Sequence, residues 1–101
     1  KMSVLDNVKF DADGYMEDPN AWSKEIAEAI AKREDVTLTD RSWVVINYAR
    51  KEYEAKGEAP TLRNITKNTD VDTKELYSLF PGGPGKLAAK VAGLHKPTGC
   101  I

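Results

Sequence analysis

A long amphipathic segment with a start signal and a stop signal occupies the middle of this chain. Thr39 is a favourable N-cap residue, and Gly57 is a typical residue at which a helix ends. Apolar side chains between them recur at helical spacing on one stripe: Trp43, Val45, Ile46, Ala49 and Tyr53. The pattern predicts an amphipathic helix, whose apolar stripe has to be covered by the rest of the chain.

An earlier segment also carries helix signals. Asp18 is able to cap a helix, Pro19 suits a first helical turn, and Trp22, with the apolar residues after it, follows helical spacing. We expect one amphipathic helix here, ending near Asp35.

Residues 60–80 are expected to form a helix-turn-helix. Pro60 restarts a short helix, the polar stretch KNTDV makes a turn, and Asp72 with Glu75 three residues later can form a capping box for the next helix. The run PGGP then interrupts the chain, and a last helix rich in Ala and Lys is expected to end at Gly93.

Near the N-terminus, the stretch VKFDADGYM predicts a β-hairpin that turns at Asp13 and Gly14. A chain of 101 residues, 41% of them hydrophobic, fits one domain with one modest core. We therefore expect a mainly α (α+β) fold: a small orthogonal helical bundle with an N-terminal β-hairpin, an internal helix-turn-helix and a flexible C-terminal arm. The body is placed at residues 2–92 and the arm at residues 93–101.

Charge is distributed unevenly along the sequence. The formal net charge of -1 indicates neither a nucleic-acid binder nor a membrane-surface protein. The last 21 residues, however, hold three lysines, Lys86, Lys90 and Lys96, and no acidic side chain. These lysines are expected to guide docking to an acidic or anion-bearing surface of a partner.

Several classes of activity find no support in the residue inventory. His95 is the single histidine and Cys100 the single cysteine, so a metal site built from several His and Cys ligands is not available. The stretch FPGGPGK lacks the spacing of a phosphate-binding loop, and we expect no cofactor. No run approaches the roughly 20 apolar residues of a membrane span, and no secretion signal is visible, so a cytoplasmic location is expected.

The helix-turn-helix supports an alternative function, a regulatory protein that binds DNA through residues 60–80. The second helix of this unit carries Asp72 and Glu75 against Lys74 alone, so it repels phosphate as much as it attracts it. Most pairs of short helices simply pack together, and DNA binding is the second hypothesis.

Cys100 stands one residue before the C-terminus, in the sequence HKPTGCI. An exposed thiol is prone to oxidation and cross-linking, so a terminal cysteine that served no function would be a hazard to the protein. An extended segment from Gly93 onwards reaches roughly 25 Å at about 3.3 Å per residue. Pro97 restricts this segment, and Gly99 allows the backbone to enter a narrow channel. We interpret the segment as an arm that presents Cys100, which carries sulfur as a persulfide between proteins.

Several stretches resemble one known family. They include DGYM at residues 13–16, the LT-x3-W stretch that ends at Trp43, LYSLFPGGPGK from Leu76 and, most specifically, AGLHKPTGCI at the C-terminus. The last stretch resembles the arm AGLPKPTGC, followed by Val or Ile, of the gamma subunit of dissimilatory sulfite reductase and its relatives, the DsrC/TusE sulfur carriers.

The resemblance implies a mainly helical protein whose penultimate cysteine, Cys100, bears sulfur. It implies a sulfur-transfer co-substrate or accessory subunit rather than an independent enzyme. The implied partner is either a siroheme sulfite reductase or the sulfur-relay proteins of tRNA thiolation. The residues expected to form the arm and its docking surface are Lys86, Lys90, His95, Lys96, Pro97, Thr98 and Gly99.

Two positions depart from the family pattern. Respiratory members have a second cysteine where this chain has Ala89, so an intramolecular disulfide cannot form, whereas persulfide carriage needs one thiol only. His95 replaces the usual proline, which is expected to loosen the arm or to add a hydrogen bond. The respiratory and tRNA-thiolation branches both stay open, as does a third hypothesis, a purely structural subunit of a sulfite reductase complex.

Overall fold

The computed structural model describes residues 4–95, and this part of the chain forms five α-helices. They are α1 (Lys24–Arg33), α2 (Asp40–Lys56), α3 (Leu62–Asn68), α4 (Thr73–Leu79) and α5 (Pro84–Val91). Two short 3-10 helices, Val4–Asn7 and Pro19–Ala21, precede them. The expectation of a mainly helical fold is confirmed. None of the helices in the described range is both long and apolar enough to cross a membrane.

Helix α2 has the boundaries that its sequence signals predict. The Thr39 side chain accepts a hydrogen bond from the Ser42 backbone N–H, and the Ser42 hydroxyl accepts one from the Thr39 N–H, which completes a capping box. Gly57 ends the helix in the left-handed conformation, with φ of 78°. Val45, Ile46 and Ala49 are buried, as the apolar stripe indicated.

The helix expected from Asp18 to Asp35 is instead two separate pieces. Asp18 caps only the 3-10 helix Pro19–Ala21, and Ser23 then caps α1. Trp22 lies between them in an extended conformation, with ψ of 147°. The interruption takes Trp22 off the face of α1, and its indole reaches the end of α5 instead.

The prediction of an N-terminal β-hairpin is wrong. Within residues 4–95 no strand forms, and Phe10 and Met16 make a single antiparallel bridge. The Asp11 carboxylate accepts hydrogen bonds from the backbone N–H groups of Asp13 and Tyr15, which closes a turn between the bridge partners. The residues on either side of the bridge lead into the two 3-10 helices. Too few residues therefore remain to extend the bridge into a pair of strands.

The helix-turn-helix of residues 60–80 is present as α3 and α4. Thr61 caps α3, and the Asp72 carboxylate caps α4 by accepting from the Glu75 N–H at 2.8 Å. The Glu75 side chain does not complete the predicted capping box, because it binds Arg41 at the start of α2. The pair of helices is thereby tied to α2.

Helix α5 lies at the centre of the fold, where it packs against α1, α2 and α4. Its buried residues are small or compact, namely Pro84, Gly85, Ala88, Ala89 and Val91, which lets neighbouring helices approach closely. The surrounding core includes Met16, Ile30, Ile46, Leu76 and Phe80. The segment expected to carry Cys100 therefore continues from the central helix of the body.

Candidate functional site

The site begins at the arm root, defined as Gly93, Leu94 and His95, the last described residues before the segment that holds Cys100. The Ala92 N–H donates to the Ala88 carbonyl oxygen at 2.9 Å, and the Leu94 N–H donates to the Ala89 carbonyl oxygen at 3.0 Å. Gly93, with φ of 73°, supplies the left-handed residue of this turn. Leu94 is fully buried and belongs to the hydrophobic core.

Gly93 is required by space as well as by conformation. A Cβ atom at this position would lie 2.7 Å from Cγ and 2.8 Å from Cβ of Trp22. The Trp22 backbone fixes the position of its Cβ atom, so rotation of the indole alone would not relieve this contact. As the chain leaves α5, the backbone at Gly93 is therefore in direct contact with the Trp22 side chain.

Two side chains from other elements cap the carbonyl groups at the end of α5. Trp22 Nε1 donates to the Val91 carbonyl oxygen at 2.9 Å, and Arg50 Nη1 donates to the Ala92 carbonyl oxygen at 2.6 Å. Arg50 Nη2 donates to the Pro19 carbonyl oxygen at 3.1 Å. These bonds satisfy acceptors that a helix end leaves without partners.

Arg50 and Trp22 also stabilise each other. The guanidinium carbon of Arg50 lies 4.2 Å from the centroid of the Trp22 ring, a cation–π distance. Burial lowers the pKa of the Arg50 guanidinium from its ordinary value, and nearby Glu54 opposes this shift. Arg50 keeps its charge at neutral pH, since arginine is not deprotonated in proteins under such conditions.

His95 contacts two further elements. Its Nε2 lies 2.8 Å from the Glu17 carbonyl oxygen, and its Nδ1 lies 3.4 Å from the Tyr53 hydroxyl. The rings of Tyr53 and His95 meet edge to face, with centroids 6.0 Å apart. His95, Trp22 and Arg50 together connect the arm root to the N-terminal region and to α2.

The other sequence-predicted site residues divide into three groups. Lys86 is exposed near the start of α5, where it lines a cleft of about 170 Å³ together with the exposed Tyr77 and the glycines of the PGGPG loop. Lys90 is largely buried: its Nζ lies 3.6 Å from Glu34 Oε1 and 5.1 Å from the centroid of the Tyr15 ring. Cys100 and its neighbours Lys96, Pro97, Thr98 and Gly99 lie outside the described residues.

The structure therefore does not bring Lys86 and Lys90 to one open surface, although they are one helical turn apart. A separate cleft of about 450 Å³ is lined by residues near the N-terminus, among them Glu17, whose carbonyl oxygen contacts His95. No group of three or more His, Cys, Asp or Glu side chains in residues 4–95 is arranged to hold a metal ion.

The sequence pattern assigned Trp22 and Tyr53 to the core and did not single out Arg50 or Glu17. Two signals were available in the sequence. A tryptophan near a helix start brings an indole N–H that needs an acceptor when it is covered. An arginine beside the apolar stripe of α2 brings a charge that has to reach polar partners. Neither signal identifies which group binds the indole N–H or the guanidinium.

The alternative DNA-binding site gains no support from the structure. In α4 and the turn before it, Asp70 and Glu75 are both bound by Arg41, and Asp72 caps the helix. These contacts give the acidic residues a structural role, and Lys74 is the one basic residue of α4, so this helix offers phosphate little net positive charge.

Known proteins are similar to this chain in sequence over most of its length. A family model described as "DsrC like protein" matches residues 4–101. The chain is 38% identical over 101 residues to the "Sulfurtransferase TusE" of Photorhabdus laumondii, covering 93% of this chain and 91% of that protein. It is 39% identical over 92 residues to the "Sulfite reductase, dissimilatory-type subunit gamma" of Nitratidesulfovibrio vulgaris, covering 90% and 88%.

Solved structures show the same similarity in three dimensions. The chain superposes on the NMR structure of Allochromatium vinosum DsrC with a TM-score of 0.84 and 38% identity, covering 99% of this chain and 96% of that one. The TM-score is 0.82, with 37% identity, against the oxidized gamma-subunit of the dissimilatory sulfite reductase from Archaeoglobus fulgidus, covering 93% and 92%.

Proposed function

The chain belongs to the DsrC-like family, and from this we propose that it is a sulfur carrier whose working residue is Cys100. The observation that carries the proposal is the extent of the family match, which continues to Ile101 and so includes the cysteine. Relatives that cover nearly the whole chain are named as a sulfurtransferase and as a sulfite reductase subunit, which supports the same role.

The chemistry needs one thiol and no cofactor. The Cys100 thiolate attacks the outer sulfur of a donor persulfide, the donor's S–S bond breaks, and the donor departs as a thiolate. Cys100 is left with the outer sulfur as its own persulfide, and an acceptor thiolate removes that sulfur by the same exchange. No net oxidation occurs in either step.

Ala89 decides which sulfur chemistry this chain can perform alone. This residue is a buried alanine, 2% exposed, and the sequence contains no thiol apart from Cys100. Release of sulfur by closing an intramolecular disulfide is therefore excluded. Sulfur leaves Cys100 only by attack from another molecule.

The body presents the arm, and its lysines differ in what they offer a partner. Lys86 is exposed and Lys96 belongs to the arm segment, so we assign electrostatic guidance of docking to these two residues. Lys90 is paired with Glu34, and its expected share in docking stays a prediction. Residues 96–101 are proposed as the part that enters the partner.

Two partners are consistent with the relatives. One is a sulfite reductase of the dissimilatory type, and the other is a chain of sulfur-relay proteins that ends in tRNA thiolation. Both place the carrier in the cytoplasm, which stays a prediction of this proposal. No specific observation favours DNA as a partner, so that hypothesis is not carried further.

Sulfur loading tests the proposal directly. The full chain is incubated with a low-molecular-weight persulfide donor, and the intact mass is measured under non-reducing conditions. We expect the wild type to gain the mass of one sulfur atom and Cys100→Ser to gain none. Thr98→Ser is the matched control, since it changes the same segment by a similar amount and keeps the thiol.

Loading of Cys100→Ser to the wild-type level would contradict the proposal, as would a wild type that takes up no sulfur. A purely structural subunit makes a different prediction, namely that Cys100→Ser leaves the function of the sulfite reductase complex intact.

A further inference from the structure

His95 is exposed, yet both of its ring nitrogens have partners on the body. The Glu17 carbonyl oxygen can only accept a hydrogen bond, so the Nε2 atom 2.8 Å from it carries the hydrogen. In the neutral ring Nδ1 is then an acceptor, and the Tyr53 hydroxyl, 3.4 Å away, donates to it. This arrangement fixes one tautomer and one ring orientation.

Both partners of His95 are themselves held in place. The Glu17 N–H donates to the Lys9 carbonyl oxygen at 3.0 Å, and the next residue, Asp18, caps the 3-10 helix Pro19–Ala21. Tyr53 lies in the last two turns of α2 and packs against the hydrophobic core. His95 is therefore attached to helix α2 and to a bend at Glu17, whose backbone is itself held by Lys9 and followed by a capped 3-10 helix.

These contacts come one residue beyond those that end α5. Trp22, Arg50 and the buried Leu94 hold the backbone up to Leu94, and nothing in them restrains the side chain of the following residue. His95 adds a separate attachment on the surface, immediately before Lys96. The protein does not need this attachment to complete its core.

We propose that His95 is a positioning residue, which ties the arm root to Glu17 and Tyr53 and so sets the direction in which the segment bearing Cys100 starts. The inference rests on the proposed function, because Cys100 is the group being positioned. Where the resembling arm motif has proline, which restricts φ, this chain achieves a similar restriction through side-chain contacts.

The starting direction matters because the remaining segment is short. The segment from His95 to Cys100 spans at most about 17 Å when fully extended. A thiol on such a segment reaches only surfaces near the face from which the segment departs. Losing one hydrogen bond at the root shifts the ratio of attached to detached His95 by about fivefold, given a net value near 1 kcal/mol.

A spin label tests this proposal without any sulfur chemistry. Because Cys100 is the single cysteine, a nitroxide can be attached to it in the full chain with no other substitution. The relaxation that the nitroxide causes at backbone amides then maps which faces of the body the arm tip visits. Wild type, His95→Ala, His95→Gln and Tyr53→Phe are compared, and Tyr77→Phe, which removes a hydroxyl from an exposed tyrosine of α4, is the matched control.

In the wild type we expect strong relaxation on one face of the body, around Glu17 and the end of α2. His95→Ala is expected to spread the effect over several faces, and Tyr53→Phe to spread it partly. His95→Gln keeps an N–H donor for the Glu17 carbonyl and is expected to retain most of the wild-type map. Tyr77→Phe is expected to leave the map unchanged.

Identical maps for wild type, His95→Ala and Tyr53→Phe, with equal free energies of unfolding, would overturn the proposal. Tyr53→Phe probes the same contact from α2, so a decision remains available if a substitution at His95 disturbs folding. All samples are free of sulfur donors. A failure of Cys100 to carry sulfur would therefore leave this result intact, and a uniform map would leave sulfur carriage intact.

Discussion

At the scale of single residues, the arm root depends on a glycine that no other residue can replace at equal cost. Gly93 combines a positive φ of 73° with direct contact to the Trp22 side chain. Gly57, at the end of α2, has a similar φ of 78°, but a Cβ atom added there would have no neighbouring atom within 4 Å. The two glycines share the conformational requirement and differ in the space around them.

Substituting each glycine by alanine separates the two effects. Gly57→Ala is expected to cost about 1–2 kcal/mol in free energy of unfolding, the penalty of a left-handed L-residue. Gly93→Ala is expected to cost at least about 1 kcal/mol more, because the new methyl group displaces Trp22 from α5. Urea denaturation of both variants measures the difference. Equal losses would show that the Trp22 contact adjusts freely.

At the scale of elements, Arg41 joins the helix-turn-helix to α2. Its Nε and Nη2 donate to the two carboxylate oxygens of Glu75, each at 2.8 Å, and Nη1 donates to Asp70 Oδ2 at 2.9 Å. Hydrogen bonds from Arg41 lower the pKa of Glu75 below its ordinary value of 4.5 and that of Asp70 below 3.8. The same carboxylates raise the pKa of Arg41.

These shifts predict how stability changes in acid. Both carboxyl groups have a lower pKa in the folded chain than in the unfolded chain, so the stability they contribute is complete above their ordinary pKa values. It is lost as the pH falls through the folded values. Glu75→Gln removes one of these groups and is expected to flatten the decline in free energy of unfolding between about pH 5 and pH 3.

Chemical denaturation at a series of pH values measures this slope. Glu28→Gln, a change at an exposed carboxylate of α1, is the control and is expected to keep the wild-type slope. If Glu75→Gln were as acid-sensitive as the wild type, Arg41 would not hold the two elements together through charge.

At the scale of the whole molecule, residues 17–22 meet the C-terminal end of the described chain at the arm root. His95 binds the Glu17 carbonyl, 78 residues away in sequence, and Trp22 binds the Val91 carbonyl, 69 residues away. Arg50 joins them from α2. Residues 17–22 thus supply part of the surface that holds the arm root.

Two truncations test where the body ends. Removing residues 96–101 is expected to change the free energy of unfolding by less than about 0.5 kcal/mol, because the described anchors of the C-terminal end all lie at or before His95. Removing residues 93–101 also deletes the fully buried Leu94 and is expected to cost about 2–3 kcal/mol more. Thermal or urea unfolding of the two truncated chains locates the C-terminal end of the body. Equal stabilities would place that end at residue 92.

Local backbone chemistry explains which helix boundaries could be predicted from the sequence. The caps at Thr39 and Asp72, the stops at Gly57 and Gly93 and the break at PGGP act within a few residues of themselves, so the helices of the C-terminal two thirds follow from the sequence. The arm motif around Cys100 likewise needed no structure to be noticed. The hairpin prediction was wrong because 3-10 helices form on both sides of residues 9–17 and leave too few residues for paired strands.

By itself, then, the sequence determined the helical segments from Thr39 onwards, the single thiol and the family to which the chain belongs. Tertiary packing alone decided that Glu75 serves Arg41 rather than its own helix, that Lys90 turns inward to Glu34, and that Trp22, Arg50 and His95 converge on the arm root. The physical reason is distance along the chain. These partners are 34 to 78 residues apart, and only the packing of helices around α5 brings their donors and acceptors within hydrogen-bonding range.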